Sequence, residues 1–223
     1  LGTGKTLTPA GTAGGNSGLN YTYTFTPNMT SVITAKELTL TGLSASDKPY
    51  DSLTTATLTG TPTLVGVVGG DDTTLAGAEV GTFNTANVGS NSVAVSGLAL
   101  AGLTSGNYTL TQPTLSASIT AKTVTVTVDA GQTKVYGAVD PTFTYVPTGL
   151  VGGDLVTGAP ARVAGSNVGT YAINAIGTLS ASTNYSLSLV PANFTITPKA
   201  LTVTASTDTK NYDGNQTSTA VPS

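Results

Sequence analysis

The sequence predicts an all-β protein made of tandem modules, and three observations support that prediction. Apolar and polar residues alternate over short runs, as where Val124, Val126 and Val128 are separated by threonines, which is typical of strands with one buried face. No stretch places apolar residues at helical spacing among good helix formers. Short motifs also recur in one order at nearly one period, which indicates repeated units. Several short strands per ~80 residues predict an immunoglobulin-like β-sandwich in each module, with the modules arranged end to end.

Five motifs recur along the chain, and successive copies lie 76 to 87 residues apart. One of them, Lys-x-Tyr, is found as Lys48-Pro49-Tyr50-Asp51, Lys134-Val135-Tyr136-Gly137 and Lys210-Asn211-Tyr212-Asp213. The others are Ile-Thr-x-Lys, ending at Lys36, Lys122 and Lys199; Asn-Tyr, at Asn20-Tyr21, Asn107-Tyr108 and Asn184-Tyr185; Gly-Gly-Asp, ending at Asp71 and Asp154; and Asn-Val-Gly, ending at Gly89 and Gly169.

The motifs divide the chain into four parts. Residues 1–36 are interpreted as the C-terminal part of a preceding module, and residues 200–223 as the start of a following one. Residues 37–122 and residues 123–199 are predicted to be two complete modules. The last predicted strand of the first complete module continues into the first strand of the second without a Gly/Ser- or Pro-rich linker, so we expect the modules to be stiffly coupled.

The composition excludes several classes of function. The chain lacks His and Cys, which removes the commonest general base, thiol catalysis, disulfides and the usual transition-metal ligands. Charged residues make up only 9% of the chain and its formal charge is −3, so there is no basic surface for nucleic acid. No apolar run is long enough for a membrane helix. We therefore expect a non-enzymatic protein with no nucleic-acid partner and no membrane insertion.

The Gly-Gly-Asp motifs have two interpretations. Glycine supplies positive φ and aspartate caps the loop, so a tight turn is the simpler one. Asp71 and the adjacent Asp72 also present the oxygen ligands that calcium prefers, but calcium needs six to eight of them, and the second copy keeps only Asp154. We expect no cofactor, with calcium at Asp71 and Asp72 as the alternative.

The recurring tyrosines and lysines are expected to be structural. A buried tyrosine needs a partner for its hydroxyl, so the Lys-x-Tyr motif predicts a corner of the core, and the Asn-Tyr motif predicts the start of an inward-facing strand. Six of the eight basic residues occupy two repeat positions, and only Lys5 and Arg162 lie outside them. Placement of charge by repeat position favours a structural role over a binding patch.

The motifs resemble those of two known repeat families. Residues 37–122, with Lys48-Pro49-Tyr50-Asp51 and Gly106-Asn107-Tyr108, are similar to YDG-type repeats. Residues 123–199, with Val135-Tyr136-Gly137 and Asp140-Pro141, are similar to the bacterial MBG repeat of the YGX type, and residues 200–223 resemble another YDG start. One departure is Ser52, where the third copy has Gly214. The resemblance implies the extended shaft of a large bacterial exoprotein such as a filamentous-haemagglutinin-like adhesin, with no catalytic residues and no defined ligand.

The sequence thus favours a stalk or spacer segment of a repetitive bacterial cell-surface adhesin, located outside the cell. Its expected partners are neighbouring modules of the same protein, with a host or neighbouring cell bound through regions outside this chain. An alternative is a segment of a self-assembling extracellular filament or matrix, which implies self-association. A second alternative is a carbohydrate-binding module, although aromatic residues make up only 6% of the chain.

Overall fold

The computed structural model of the 223-residue chain describes residues 1–8, 10, 24 and 26–217. This part is all-β, which confirms the all-β part of the prediction; it contains a short 3-10 turn at Ser105–Asn107 but no α-helix. Nor does the described part hold a helix of the length and apolarity that crossing a membrane requires. The predicted strand start at Asn20-Tyr21 lies outside the described residues. The chain divides into two compact units, Leu1–Lys122 and Thr123–Ser223.

The first unit contains ten strands among its described residues. They are β1 (Gly2–Leu7), β2 (Asn28–Ile33), β3 (Lys36–Ala45), β4 (Lys48–Pro49), β5 (Thr55–Ala56), β6 (Leu58–Val65), β7 (Thr74–Phe83), β8 (Gly89–Ala101), β9 (Tyr108–Thr111) and β10 (Thr114–Thr120). Strands β3 to β10 form what is here called the first module, with a three-stranded sheet in the order β6-β3-β9 and a five-stranded sheet in the order β4-β10-β8-β7-β5.

The second unit contains seven strands among its described residues. They are β11 (Lys122–Val128, which begins at the last residue of the first unit), β12 (Gln132–Val135), β13 (Tyr145–Thr148), β14 (Ala161–Arg162), β15 (Gly169–Ala175), β16 (Tyr185–Val190) and β17 (Ala192–Thr197). These strands form the second module, with sheets in the orders β13-β11-β16 and β12-β17-β15-β14. The two modules share one topology, except that the first adds β5 at an edge. Strand β11 begins at Lys122, one residue before the predicted start of the second module at Thr123.

The buried side chains of each module come from both of its sheets. In the first module, one core cluster joins Leu40 and Leu43 of β3 to Val95 and Leu98 of β8. In the second, Val128 of β11 belongs to the same cluster as Ile173 of β15, together with Phe143, Phe194 and Ile196. The predicted alternation at Val124, Val126 and Val128 is confirmed, because all three are buried and the intervening threonines are not.

The first and last segments of each module lie side by side and run in the same direction. In the first module, Lys36 of β3 pairs with Tyr108 of β9 in a parallel ladder. Further along, Lys48 of β4 pairs with Ile119 of β10, again in parallel. The offset is 72 residues in the first ladder and 71 in the second, so residues 36–49 accompany residues 108–120 as both cross from one sheet to the other.

The second module repeats this arrangement with a shorter offset. Its β12 and β17 are parallel, and Gln132 pairs with Phe194, an offset of 62 residues. Its β11 and β16 are neighbours in the other sheet, where the Thr123 and Ser186 hydroxyls lie 3.3 Å apart. In both modules, therefore, the chain begins at one end of this segment pair and leaves at the other.

The hairpin β1–β2 has the register of the corresponding strands in the two modules. Gly2 pairs with Ile33, as Gly89 pairs with Ile119 in the first module and Gly169 with Ile196 in the second. The hairpin therefore resembles the last antiparallel strand pair of a module. At the other end of the chain, residues 200–217 form no strand, and Leu201 and Val203 are exposed.

Candidate functional site at the two ends of each module

The recurring motifs meet in space as two clusters, one at each end of a module. The turn–tyrosine cluster joins the Gly-Gly-Asp turn to the tyrosine of Asn-Tyr, beside the start of the first strand. The lysine cluster joins the Lys-x-Tyr motif and its acidic partners to the end of the last strand. The sequence shows these motifs one by one, whereas the structure brings them together in pairs.

The Gly-Gly-Asp motifs form tight turns in both modules. The Asp71 amide donates to the Val68 carbonyl at 3.1 Å, and the Asp154 amide donates to the Val151 carbonyl at the same distance. Gly70 has a φ of 92° in the first turn, and Gly152 and Gly153 have 63° and 81° in the second. These left-handed conformations favour glycine, as expected for this kind of turn.

A tyrosine hydroxyl closes each of these turns. The hydroxyl of Tyr108 donates to Asp71 Oδ2 and accepts from the Val68 amide at 3.0 Å. In the second module, Tyr185 donates to Asp154 Oδ2 at 2.8 Å and accepts from the Val151 amide at 3.0 Å. The same hydroxyl geometry therefore appears twice, although each tyrosine lies more than 30 residues from its aspartate.

The carboxylate changes the acidity of its tyrosine partner. The hydrogen bond to Asp71 raises the pKa of the Tyr108 phenol above its usual value, and partial desolvation acts in the same direction. A neutral phenol can donate to the carboxylate, whereas a phenolate next to it would be repelled. The hydroxyl therefore stays protonated at neutral pH and holds the turn closed.

The two aspartates that were weighed as calcium ligands make contacts within the module. Asp71 accepts from Tyr108, while Asp72 Oδ2 accepts from the Leu103 amide at 3.1 Å. Across the described residues, no three His, Cys, Asp or Glu side chains come together as a metal site would require. Of the two interpretations, the geometry favours the turn.

The asparagines of the Asn-Tyr motifs lie immediately before these tyrosines. Asn107 ends the 3-10 turn, where its amide donates to the Thr104 carbonyl at 3.0 Å. Asn184 is buried. Both asparagines precede the start of a strand, at β9 and β16, as the motif predicts.

The backbone of the lysine cluster is alike in the two modules. The Tyr50 amide donates to the Thr120 carbonyl at 2.9 Å, and the Tyr136 amide donates to the Thr197 carbonyl at 2.8 Å. The Lys-x-Tyr and Ile-Thr-x-Lys motifs are therefore partners, because the first runs alongside the second at the end of the last strand.

The tyrosine side chains of this cluster differ from the predicted buried corner. Tyr50 is buried, but Tyr136 is 48% exposed and Tyr212 is 97% exposed. The prediction is therefore wrong for the second copy, whereas Tyr212 lies in residues 200–217, which form no strand and so do not test it. The shared element in the two modules is the backbone hydrogen bond from the tyrosine amide, which does not depend on where the ring lies.

In the first module, the lysine finds its acidic partner in the adjacent loop. Lys48 Nζ lies 2.8 Å from Asp51 Oδ1 and 2.8 Å from the Leu53 carbonyl, to which it donates. The same Asp51 oxygen accepts from the Leu53 amide at 2.9 Å. The ammonium also lies 5.5 Å from the centre of the Phe83 ring, so a cation–π contact supports the pair.

The third copy forms the same loop. Lys210 Nζ lies 2.8 Å from Asp213 Oδ1, which also accepts from the Asn215 amide at 2.9 Å. Gly214 has a φ of 80°, and Ser52, at the matching position of the first copy, has a φ of 66°. The departure noted in the sequence therefore puts a serine where the backbone favours glycine.

The second module has Gly137 where the other copies have aspartate, and its lysine pairs with Asp140 instead. Lys134 Nζ lies 2.6 Å from Asp140 Oδ1. Arg162 of β14 binds the same carboxylate with two nitrogens, Nε at 2.7 Å and Nη2 at 3.0 Å. This two-pronged geometry is the strongest that a guanidinium can make with a carboxylate.

Arg162 is also enclosed by aromatic rings. Its guanidinium carbon lies 5.0 Å from the centre of the Tyr171 ring and 5.2 Å from that of Phe194, and its side chain is only 9% exposed. Arg162 lies outside the two positions at which the basic residues recur. It is the single arginine of the chain, and it lies in the module whose Lys-x-Tyr motif lacks its aspartate. That coincidence was the sequence signal that could have indicated a structural role for Arg162.

These ion pairs shift the acidity of the carboxyls. Hydrogen bonds from Arg162 and then Lys134 lower the pKa of Asp140 to about 2. Desolvation acts to raise the pKa of Asp51, but the bonds from Lys48 and the Leu53 amide outweigh it, and the net shift is downward. Both aspartates are therefore charged at neutral pH and hold their cations in place.

Comparisons with known proteins match two parts of the chain to families. Residues 34–115 match the YDG domain, and residues 124–195 match the MBG domain of the YGX type. The chain therefore contains one domain of each family. No curated protein and no solved structure gives a significant match.

Proposed function

We propose that this chain, which contains a YDG domain followed by an MBG domain of the YGX type, is a non-catalytic stalk segment of a repetitive bacterial cell-surface adhesin. In this proposal each module is an immunoglobulin-like β-sandwich, and the modules follow one another end to end outside the cell. Their direct partners are neighbouring modules of the same protein.

One observation carries the proposal: the first and last segments of each module run parallel. Because Lys36–Thr39 accompanies Tyr108–Thr111 and Lys48–Pro49 accompanies Ile119–Thr120, the chain enters the first module at one end and leaves at the other. Had these segments been antiparallel, entry and exit would lie at the same end and added modules would fold back. Each segment is about 13 residues long, and at ~3.3 Å per residue it spans roughly 40 Å per module, so reach grows with every module.

The polar clusters support a structural role. Their carboxylates, cations and tyrosine hydroxyls bind other parts of the same module, as in the Tyr108–Asp71 and Arg162–Asp140 contacts. The strongly exposed tyrosines of the described residues, Tyr136 and Tyr212, belong to different repeats, which argues against the aromatic platform that a carbohydrate-binding module would present.

Solution scattering on residues 37–199 tests the proposal. Two modules in line should give a rod-like profile with a maximum dimension of roughly 80 Å, whereas side-by-side modules would be much more compact. A compact profile would remove the mechanical basis of a stalk. Growth of the particle with protein concentration would instead favour the self-assembling filament.

A further inference from the structure

We propose that the parallel segment pair of each module is a mechanical clamp, which loads its hydrogen bonds in shear when the chain is pulled from its two ends. The inference rests on the proposed stalk function, because tension along the chain is the load that a tethered stalk transmits. Beyond the stalk function, we infer that each module resists such tension because its first and last segments are parallel, whatever the number of modules in the stalk.

The direction of the load follows from the strand register. Tension enters the first module at Lys36, the first residue of β3, and leaves it at Thr120, the last residue of β10. The two segments are parallel neighbours, so tension draws residues 36–49 towards one end and residues 108–120 towards the other. The segments must slide past each other along the strand axis, and the slanted, evenly spaced bonds of a parallel ladder are then loaded together.

The bonds that oppose sliding lie in both sheets of the first module. Four residue pairs join β3 to β9. In the other sheet, β4 pairs with β10, and the Tyr50 amide extends this ladder with its 2.9 Å bond to the Thr120 carbonyl. A side chain adds to it, because Asp47 Oδ1 accepts from the Ser118 amide at 2.6 Å.

The second module has the same clamp with a longer ladder at its exit end. Four pairs, from Gln132–Phe194 to Val135–Thr197, join β12 to β17. The Tyr136 amide donates to the Thr197 carbonyl. The side-chain hydroxyl of Thr197 in turn donates to the Lys134 carbonyl at 3.2 Å. Lys134 is fixed in turn by Asp140, so its ion pair anchors the strand on which the tension acts.

Other strand pairs of the same module offer a contrast in loading. Strands β11 and β13 are antiparallel, and Thr125 pairs with Thr148 near the open end of their ladder. A pull that separates Thr123 from Thr148 peels this ladder from that end, one bond at a time. The second module therefore supplies both a shear direction and a peeling direction within one fold.

The test is single-molecule pulling of the full chain through engineered cysteine pairs, because the natural chain has no cysteine to compete with them. The shear pair is T123C with K199C, at the two ends of the second module. The peeling pair is T123C with T148C, which shares one attachment point, and all three positions are exposed. A second peeling pair, N174C with N193C, crosses the antiparallel ladder of β15 and β17 and covers the case in which T148C fails to fold.

The shear pair should unfold at a force about twofold or more above either peeling pair at equal loading rate, because forced unfolding follows the unfolding barrier in the pulled direction. Full unfolding through the shear pair should lengthen the tether by roughly 210 Å, because ~250 Å of extended chain replaces a folded module that spans ~40 Å. Equal forces for shear and peeling would overturn the clamp. An elongated particle in scattering together with equal forces would support the stalk and overturn the clamp. A compact particle together with a higher shear force would support the clamp and overturn the stalk.

Discussion

The lysine clusters of the two modules both pair the lysine with an aspartate, but the aspartate comes from a different part of the chain in each. In the first, Lys48 pairs with an aspartate three residues later, and the contact lies within one short loop. In the second, Lys134 pairs with Asp140, which is also bound by Arg162 from a strand more than 20 residues away. Strand pairing fixes the position of the lysine in both modules. The carboxylate that binds it belongs to Asp51 in the first module and to Asp140 in the second.

The difference separates a local contact from a tertiary one. The loop of Lys48 and Asp51 is formed again by Lys210 and Asp213, in a part of the chain that belongs to no sheet. Such a loop needs no contact with the rest of a module in order to form, so it contributes little to the free energy of unfolding of that module. The network around Arg162 exists only when β14, β15 and β17 are assembled, so it should contribute to the folding of the whole module.

Loss of Arg162 should give the largest effect. R162A removes a nearly buried guanidinium that binds Asp140 twice and contacts two rings, and it should lower the free energy of unfolding of the second module by about 2–3 kcal/mol. In the first module, D51N breaks a pair whose carboxylate is 41% exposed and should cost about 0.5 kcal/mol. Native-state hydrogen exchange on the full chain resolves the two modules.

A conservative control sharpens this result. R162K keeps the charge but loses the planar fork and the ring contacts, so it should fall between the wild type and R162A. Equal losses from R162A and D51N would contradict the distinction between a tertiary and a local lysine cluster.

The turn–tyrosine clusters should respond equally, because their geometry is the same in the two modules. Y108F and Y185F each remove a hydroxyl that donates to an aspartate and accepts from a valine amide, and each should cost its own module about 1–2 kcal/mol. Urea unfolding with amide exchange measures both. Y212F, at an exposed ring, is the matched control and should change nothing. A loss in only one module would show that the two clusters are not equivalent.

Acidification should lower the free energy of unfolding of the second module, which contains Asp140, by about 1 kcal/mol relative to that of the first. The pKa of Asp140 is lowered from its ordinary 3.8 to about 2, so the stability that its ion pairs provide is present above pH 3.8 and is lost as the pH falls towards 2. Allowance for solvent screening of this partly exposed carboxylate gives a loss of about 1 kcal/mol. Unfolding measured from about pH 5 to pH 2 checks this, and D140N should flatten the profile. A profile unchanged by D140N would mean that Asp140 is not the titrating group.

The smallest expected effect is a gain in stability. Ser52 is the one non-glycine residue with a positive φ in the described part of the chain, and the third copy has Gly214 at the matching position. S52G should raise the free energy of unfolding of the first module by up to about 1 kcal/mol, because glycine is not strained there. S44G, in the extended backbone of β3, should instead lower it by about 0.5–1 kcal/mol. Thermal unfolding of both variants gives the comparison.

The sequence predicted the fold class because alternation is a local property. Val124, Val126 and Val128 face the core as their period of two requires, and the Gly-Gly-Asp motifs form turns because glycine and aspartate determine that geometry within four residues. Repetition likewise indicated the recurring lysines and tyrosines and the aspartates of the Gly-Gly-Asp turns, but it did not indicate Asp140 or Arg162, which do not recur.

The pairing of the motifs was beyond reach of the sequence. Tyr108 meets Asp71 only because β9 lies beside β3, and Lys48 meets Ile119 only because both segments change sheets together. These neighbours are fixed by topology and not by any local preference. The burial of Tyr50 did not extend to Tyr136 for the same reason: strand pairing fixes the amide and leaves the ring free to differ.

The parallel segments also determine where the chain can change its length. The offset between their exit-end strands is 71 residues in the first module and 62 in the second, yet the segments themselves pair alike, so insertions and deletions are accommodated between them. One residue added between β3 and β4 would shift the rest of the first segment against its partner and turn its side chains to the opposite face. Gene rearrangements that duplicate or delete whole modules preserve every such register, which makes the module the natural unit in which an array of this kind grows or shortens.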